Sequence, residues 1–301
     1  MIGIVILNYE TWDATLKCIK SIEKTENTES VRVYLIDNAS SSDMPVALKQ
    51  YINDHDVVYI SSKENRGYAA GNNLGIRKAL EDQCGYILIS NNDIVYRKNS
   101  IETMCEFLKE KHGGIVGPQV VDPQGKHQPS VAMVKTGMKE IFRFYTVLKC
   151  FQRKAMMKYQ GMHLQKDSQF RVFHVSGCCF MMDRQTAELL YPLDENTFLY
   201  DEELIIGIRM QQANKQTWYN GKAIVEHHHG YTTQRNSAFM QKCIRDSEQY
   251  YCREYLHASK VQIALLYWYR KMLYLFRSVR YETFRKQWKW FRRMTKKELL
   301  R

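Results

Sequence analysis

Short runs of apolar, β-branched residues alternate with helix-like segments through the first hundred residues. The predicted strands cover residues 2–7, 31–36, 57–61 and 86–89, and the predicted helices cover 11–24, 44–53 and 71–81. Continuous apolar runs are typical of strands buried on both faces, and apolar residues three and four apart are typical of helices. This order predicts an α/β fold in which helices flank a mainly parallel sheet.

Polar residues cluster where three of these strands end. The clusters are Asn8-Tyr9-Glu10, Asp37-Asn38 and Asn91-Asn92-Asp93. The carboxyl ends of parallel strands lie on one edge of the sheet, where ligands bind in open α/β folds. A turn or a helix cap explains each cluster alone, so the prediction of a site depends on their convergence.

The sequence after residue 112 is less regular. It predicts a short strand at 114–117, a loop at 118–129, a mobile or helical insertion at 138–166, strand-like residues at 170–183, a helix within 197–212, a strand within 217–227 and helices from 238 onward. The fold class therefore depends mainly on the first hundred residues.

Positive charge is concentrated near the end of the chain, whose net charge is +12. Residues 270–301 hold twelve Lys or Arg and two Glu, a net +10, which leaves +2 on the other 269 residues. A basic balance favours an anionic partner, but the nearly neutral body argues against nucleic acid.

The sequence contains no uninterrupted run of about 18 apolar residues, so we predict no membrane span. No signal peptide and no C-x-x-C pair is recognisable, so we expect a cytoplasmic protein with reduced thiols.

The nucleotide motifs of other α/β proteins are missing. No G-x-G-x-x-G follows the first strand and no G-x-x-x-x-G-K-[ST] occurs, which argues against dinucleotide-binding and P-loop proteins. Asp37 instead suits hydrogen bonds from a nucleobase N–H or a ribose hydroxyl. Asp93, with the carbonyl oxygen of Asn91, suits a divalent cation that bridges two phosphates.

Two further clusters offer acid–base and metal chemistry. Asp201-Glu202-Glu203 precedes an apolar helix, where acids complement the helix dipole and one carboxylate also suits a general base. Adjacent like charges and aromatic neighbours would raise the pKa of one of these acids. His227-His228-His229 follows the strand at 223–225, and alternation would place His227 and His229 on one face, in reach of a metal or phosphate.

Seven motifs in a fixed order resemble a known family. They are IVILNY (4–9), IDNAS (36–40), NRGYAAGNNLGI (65–76), SNND (90–93), VSGCC (175–179), FLYDEE (198–203) and HHHG (227–230). Together they resemble the family-two glycosyltransferases of the GT-A fold, notably the rhamnosyltransferase-like branch of bacterial surface-polysaccharide synthesis. The resemblance implies a Rossmann-like GT-A domain over 1–235 and a C-terminal basic helical extension over 236–301.

The resemblance also implies a function. It implies an inverting transferase that moves a sugar from a nucleotide-diphosphate sugar to a hydroxyl of a glycan or lipid-linked acceptor, usually with Mg²⁺ or Mn²⁺, in capsule or O-antigen synthesis. Residues 118–172 would help to select the acceptor. The nucleotide-sugar-binding residues that it implies are Asn8, Tyr9, Asp37, Asn38, Gly71, Asn73, Asn92, Ser176 and Gly177.

The resemblance assigns the metal and the base as well. Asp93 is the metal-binding end of a D-x-D motif whose first acid is Asn91 here, and His227 approaches the metal or diphosphate. By its register Glu203 is the general base, and Asp201 and Glu202 are alternatives. Because Asn91 and Glu203 replace commoner acids, a catalytically inactive nucleotide-sugar-binding or scaffolding relative is the alternative function.

Residues 258–301 mix aromatic residues with the twelve cations. Basic amphipathic helices with aromatic residues lie on anionic membranes, so we expect a peripheral protein at the inner face of the cell membrane. The alternative is that the apolar positions pack on the catalytic domain or on a second copy in a homodimer.

Overall fold

The computed structural model describes residues 1–163, 167–228, 238–282 and 284–288. The strands in these ranges are β1 (Ile2–Asn8), β2 (Val31–Asp37), β3 (Val57–Ser61), β4 (Tyr86–Asn91), β5 (Ile94–Tyr96), β6 (Ile115–Val121), β7 (Val131–Ala132), β8 (Gln169–Val172), β9 (His174–Val175), β10 (Cys179–Asp183) and β11 (Thr217–His227). The helices are α1 (Trp12–Ile22), α2 (Val46–Asp54), α3 (Tyr68–Glu81), α4 (Ser100–Glu110), α5 (Met138–Phe144), α6 (Arg153–Tyr159), α7 (Arg184–Leu190), α8 (Glu202–Gln212), α9 (Ala238–Tyr250) and α10 (Lys260–Arg280). A 3₁₀ turn covers Val147–Phe151, and a π-helical turn covers Tyr251–Tyr255.

One mixed sheet forms the centre of the described chain. Its strand order is β3-β2-β1-β4-β10-β6-β11-β5, and β8 pairs with β11. Strands β3, β2, β1 and β4 are parallel, whereas β10 lies antiparallel between β4 and β6. The predicted α/β class is therefore confirmed. A separate two-stranded sheet joins β7 to β9.

The alternation of β1 divides the core into two layers. Ile2, Ile4 and Ile6 are fully buried against α1 and α4 on one face of the sheet. Val5 is buried on the other face, against α3, α7 and α8. Successive side chains of a strand point to opposite faces, so an uninterrupted apolar run is what a strand between two helical layers requires.

Two glycines allow α3 to lie close against β1. A Cβ built on Gly71 would come within 2.4 Å of a Leu7 methyl, and one on Gly75 within 2.4 Å of a Val5 methyl. Because there is no room for a side chain at either position, the start of α3 is held beside the end of β1. This contact positions one wall of the site described below.

The segment predicted as a loop from residue 118 begins as strand. β6 continues through Pro118 to Val121, so the predicted strand at 114–117 was too short. β10 pairs only with Ile115 and Val116 of β6, so Pro118 lies beyond that ladder. On the other edge of β6, Pro118 is the register partner of Asn220 of β11, next to a shift in register where a missing N–H is tolerated. The predicted insertion at 138–166 is helical in its described part, whereas β5, α4 and α7 were not predicted.

A buried ion pair joins the two C-terminal helices α9 and α10. Arg270 of α10 donates two hydrogen bonds to the Glu248 carboxylate of α9, at 2.8 and 2.6 Å, and both side chains are largely buried. Breaking one side of such a pair typically costs about 3–5 kcal/mol. Among the helices of the described ranges, none is both long and apolar enough to span a bilayer.

The contact between α3 and β1 can be tested by substitution. We expect Gly75→Ala to lower the free energy of unfolding by about 1–3 kcal/mol, because the new methyl meets the stiff Val5 side chain. Val5→Ala should relieve this clash, so the two substitutions together should be less destabilising than the sum of their separate effects. Urea unfolding measures this coupling. Gly85→Ala is the matched control, since its Cβ would meet only the Met1 carbonyl oxygen at 3.8 Å. Equal effects at positions 75 and 85 would contradict the close packing.

Candidate functional site

The polar ends of the central strands lie on one edge of the sheet. Asn8 at the end of β1 is the register partner of Asp37 at the end of β2. Leu7 of β1 is the partner of Asn91 at the end of β4. On the far side of β4, the Asn91 N–H donates to the Cys178 carbonyl oxygen at 2.8 Å. The expected convergence of these clusters is therefore confirmed.

Asn8 and Asn92 form a buried amide network beneath this edge. The Asn92 Nδ2 donates to Asn8 Oδ1 at 3.0 Å and to Thr15 Oγ1 at 2.8 Å. The Asn8 Nδ2 donates to Ser40 Oγ at 3.1 Å. Because both amides are buried and bonded within the protein, they fix the loops around the edge.

Asp37 lines a cavity of about 480 Å³ together with Trp12, Lys49 and Tyr59. The Tyr59 hydroxyl donates to one carboxylate oxygen of Asp37 at 3.2 Å, and the Ser40 N–H donates to the other at 3.0 Å. These bonds orient the carboxylate. The nearby Tyr9 is 38% exposed, which leaves its ring free to meet a ligand. The sequence had not identified Trp12 or Tyr59.

Asn38, Gly71 and Asn73 line a second cavity, of about 230 Å³. The Asn38 Nδ2 donates to the Gly67 carbonyl oxygen at 3.2 Å. Asn73 forms a reciprocal pair with the backbone of Leu193, donating at 3.0 Å and accepting at 2.8 Å. The Asn73 side chain thus tethers the segment at Leu193, and Gly71 faces Leu7.

Asp93 and His227 meet at the end of β11. The Nε2 of His227 lies 3.1 Å from Asp93 Oδ1, and both side chains are only 10% exposed. Although burial opposes it, the neighbouring Cys178 sulfur and Asp93 carboxylate raise the pKa of His227 to about 10. His229, which was predicted to share a face with His227, falls outside the described residues.

These two side chains fit a divalent cation. Asp93 Oδ1 is buried and, within the described chain, makes no hydrogen bond of good geometry. A carboxylate oxygen beside an imidazole nitrogen is a donor set that Mn²⁺ accepts once the ring has lost its proton, because a protonated imidazole has no free lone pair on either nitrogen. In the described ranges, however, no group of three or more His, Cys, Asp or Glu side chains forms a complete metal cluster. A cation here would therefore need further oxygen ligands from substrate or water.

Glu203 lies near the Ser176-Gly177 turn that precedes β10. A Cβ built on Gly177 would lie 3.9 Å from Glu203 Oε2 and 3.4 Å from the Tyr68 hydroxyl. Tyr68, the first residue of α3, donates its hydroxyl proton to the Gly177 carbonyl oxygen. Burial, with the charges of Glu202 and Glu203, raises the pKa of this phenol well above its ordinary value. Tyr68 was within a quoted motif, but only the structure brings it to the acids.

The three consecutive acids have different surroundings. Asp201 is in the left-handed region, at φ +66°, and its pKa is raised by burial and by Glu248 and Glu203 against the opposing charge of Arg270. Glu202 is buried, and burial together with Glu203 and Asp201 raises its pKa well above the ordinary value. The expected upward shift in pKa is thus found in Asp201 and in Glu202.

Sequence reasoning also missed His174. Its Nε2 is buried and, among the described residues, has no hydrogen-bond partner. His174 and Glu203 both line a small, mostly apolar cavity of about 10 Å³. Burial lowers the pKa of His174, so the ring is neutral at pH 7. A lone histidine in the strand-like 170–183 segment gave no signal of this, because the contact joins residues 29 positions apart.

Glu202 allows a test of the buried acid cluster. The Glu202 carboxyl ionises near pH 4.5 in the unfolded chain but only at higher pH in the folded one, so its burial lowers stability as pH rises above about 4.5. We expect Glu202→Gln to raise the free energy of unfolding at pH 7 by on the order of 1 kcal/mol or more. Urea unfolding from pH 4 to 8 should show this gain growing with pH. The exposed Glu81→Gln should show none, and a gain independent of pH would contradict the raised pKa.

The chain is similar in sequence to known glycosyltransferases. A family model described as glycosyl transferase family 2 matches residues 3–190. A low-salt glycan biosynthesis hexosyltransferase of Haloferax volcanii is 27% identical over 219 residues, which cover 71% of this chain and 62% of that protein, less than two thirds of its length. An N-acetylglucosaminyl-diphospho-decaprenol L-rhamnosyltransferase of Mycobacterium tuberculosis is 25% identical over 223 residues, 69% of this chain and 70% of that protein.

Solved structures share the fold. GalNAc-T7 with UDP, GalNAc and Mn²⁺ has a TM-score of 0.60 at 15% identity, and the match covers 82% of this chain and 47% of that one. Staphylococcus aureus TarS 1–349 in complex with UDP has a TM-score of 0.54 at 12% identity, with 88% and 70% covered. At these identities the likeness concerns the fold alone, and it confirms the expected GT-A architecture.

Proposed function

Because the chain belongs to glycosyl transferase family 2, as its motifs predicted, we propose that it transfers a sugar from a nucleotide-diphosphate sugar to a hydroxyl of a glycan or lipid-linked acceptor. The observation that supports this best is the placement of Asp37, the Asp93–His227 pair and Glu203 around one edge of the sheet. Nucleoside, diphosphate and acceptor then have consecutive places along that edge.

We place the donor nucleoside in the cavity at Asp37. The oriented carboxylate accepts from a base or ribose, Tyr9 offers an exposed ring, and Asn8 and Asn92 hold the surrounding loops. In this proposal Asn38, Gly71 and Asn73 support the donor loop through packing and backbone rather than by direct side-chain contact. Ser176 and Gly177 border the donor sugar, next to Glu203.

Asp93 and His227 would hold a divalent cation, Mg²⁺ or Mn²⁺, with Asn91 beside them. When bound, such an ion offsets the negative charge that develops on the leaving diphosphate. The buried Oδ1 of Asp93 supports this assignment, since within the described residues it faces the His227 ring and makes no hydrogen bond of good geometry. The buried imidazole of His227 keeps that carboxylate oriented in either case.

Glu203 is the proposed general base of a single, inverting displacement. The acceptor hydroxyl oxygen forms the new bond to the anomeric carbon as the bond from that carbon to the diphosphate oxygen breaks, and Glu203 takes the hydroxyl proton. The Gly177 turn lies next to the Glu203 carboxylate, since a Cβ built on Gly177 would be 3.9 Å from Glu203 Oε2. Asp201 and Glu202, with raised pKa values, are the alternative bases.

The biological setting is also a proposal. One relative is named for a decaprenol-linked acceptor, and another for glycan biosynthesis. We propose cell-surface polysaccharide synthesis, such as capsule or O-antigen, at the inner face of the cell membrane. In this division 1–235 is the catalytic domain, with 118–172 helping to select the acceptor, and 236–301 is the basic extension. An inactive nucleotide-sugar-binding relative is the alternative, and donor hydrolysis with Mn²⁺ would exclude it.

The base can be tested by removing its charge. We expect Glu203→Gln to reduce the transfer rate about 10²–10⁴-fold while nucleotide-sugar affinity is unchanged, because only proton removal is lost. Transfer to a lipid-linked acceptor and calorimetric donor binding measure the two effects. Glu188→Gln, an exposed acid of α7, is the matched control. Should Asp201→Asn or Glu202→Gln cause the large loss instead, the base is assigned wrongly.

Donor and metal contacts can be separated by thermal unfolding. A ligand that binds only the native state raises the melting temperature by mass action. We expect Mn²⁺ to increase the stabilisation that a nucleotide sugar gives to the unmodified protein and to Asp37→Asn, but not to Asp93→Asn. Asp37→Asn should weaken the stabilisation with and without Mn²⁺. A full Mn²⁺ effect in Asp93→Asn would remove Asp93 from the metal site.

A further inference from the structure

The outer face of α10 is an exposed apolar stripe. Six of its large apolar side chains are 55–79% exposed: Val261, Leu265, Trp268, Met272, Phe276 and Val279. Their spacing of three and four residues places them within an arc of about 80° on the helix. Solvent-exposed helices normally present charged or polar residues on this face, so a continuous stripe about 27 Å long marks an interaction surface.

The opposite face of α10 is anchored to the body. Leu266 and Tyr274 are buried, and Arg270 forms the bidentate ion pair with Glu248. Ser259 caps the helix start, accepting from the Gln262 N–H. The helix is therefore held in place by its inner face, and the apolar stripe points outward without being needed for the packing.

Cations flank the stripe. Lys260 and Lys271 lie on one side of it and Arg280 on the other, and the Lys271 Nζ is 4.3 Å from the ring centroid of Trp268. The sequence that begins in this helix, 270–301, has a net charge of +10. An apolar stripe with aromatic residues and basic flanks suits the boundary between acyl chains and anionic headgroups.

We propose that the outer face of α10, from Val261 to Val279, docks onto an anionic lipid bilayer, with Trp268, Met272 and Phe276 inserted below the headgroups. A second copy of the chain is a poorer occupant. Pairing two such faces would bring the flanking cations of two α10 helices together, and like charges at close range repel. A bilayer of anionic lipids instead neutralises them.

The docking face lies directly behind the helix of the acid cluster. Leu266 of α10 packs in one cluster with Leu204, Ile205 and Ile208 of α8, whose first turn contains Glu203. α8 thus lies against the inner side of α10, so docking would hold the site next to the bilayer at a fixed distance. Docking requires no sugar transfer, so a failure of the proposed reaction would not contradict the docking proposal.

Vesicle sedimentation of the full-length chain tests the proposal. We expect binding to phosphatidylcholine vesicles that contain phosphatidylglycerol, little binding to phosphatidylcholine alone, and weaker binding at high NaCl. The triple variant Trp268→Glu, Met272→Glu and Phe276→Glu should bind at least about tenfold more weakly. Val46→Glu, Val134→Glu and Leu189→Glu together are the matched control, since they add the same charge at exposed apolar positions elsewhere. That control should bind nearly as well as the unmodified protein.

Two results would overturn the proposal. One is equal vesicle binding by the α10 variant and the control. The other is a dimer in sedimentation velocity that the α10 variant alone converts to monomer, in a protein that does not bind vesicles, which would identify a second copy as the occupant. None of the six substituted positions is buried, so we expect both variants to keep the melting temperature of the unmodified protein. An unchanged melting temperature would show that their fold is intact.

Discussion

The parallel register of β2, β1 and β4 is the constraint on which the site depends. It aligns Asn8 with Asp37 and Leu7 with Asn91, so the chain leaves three adjacent strands at one edge. The antiparallel β10 then brings the Gly177 turn to the same edge from the opposite direction. A slip of one residue in β1 would turn its apolar side chains to the wrong layers of the core. The same slip would move Asn8 out of line with Asp37. Core packing and site geometry are therefore specified by the same strand pairing.

Electrostatics distinguishes the groups placed around this edge. Three consecutive acids would repel if all were ionised, and burial raises the pKa of Asp201 and Glu202, which reduces that repulsion. Glu203 is the acid whose carboxylate borders the Gly177 turn. At the other end of the edge, burial of the Asp93–His227 pair keeps a carboxylate oxygen without a good hydrogen bond, a state that a cation would relieve. The proposed proton acceptor and the proposed cation-binding pair thus lie at separate places along one sheet edge.

The sequence predicted what depends on local pattern and missed what depends on distant contacts. The presence of the first four strands, the helix start at the acid cluster and the fold class follow from periodicity and polar clusters, and the structure confirms them. The contacts of Tyr68 with Gly177 and of Tyr59 with Asp37 depend on how distant strands and helices pack. The cavity that His174 and Glu203 both line depends on the same packing. Pro118 was predicted to begin a loop, but it lies within β6, at a point where β10 has stopped pairing and next to a shift in the register with β11.

The packing of α10 against α8 connects the site to the surface of the molecule. A helix held by a buried ion pair and by Leu266 can expose an apolar face without losing its position. Exposed apolar area of this extent is a liability for a protein that meets only water, since it favours aggregation. Its persistence on one face of an anchored helix, beside the strongest positive charge of the chain, is explained if that face has a permanent apolar and anionic neighbour. A bilayer provides both properties, and it would also provide the phase in which a lipid-linked acceptor reaches the Gly177 turn.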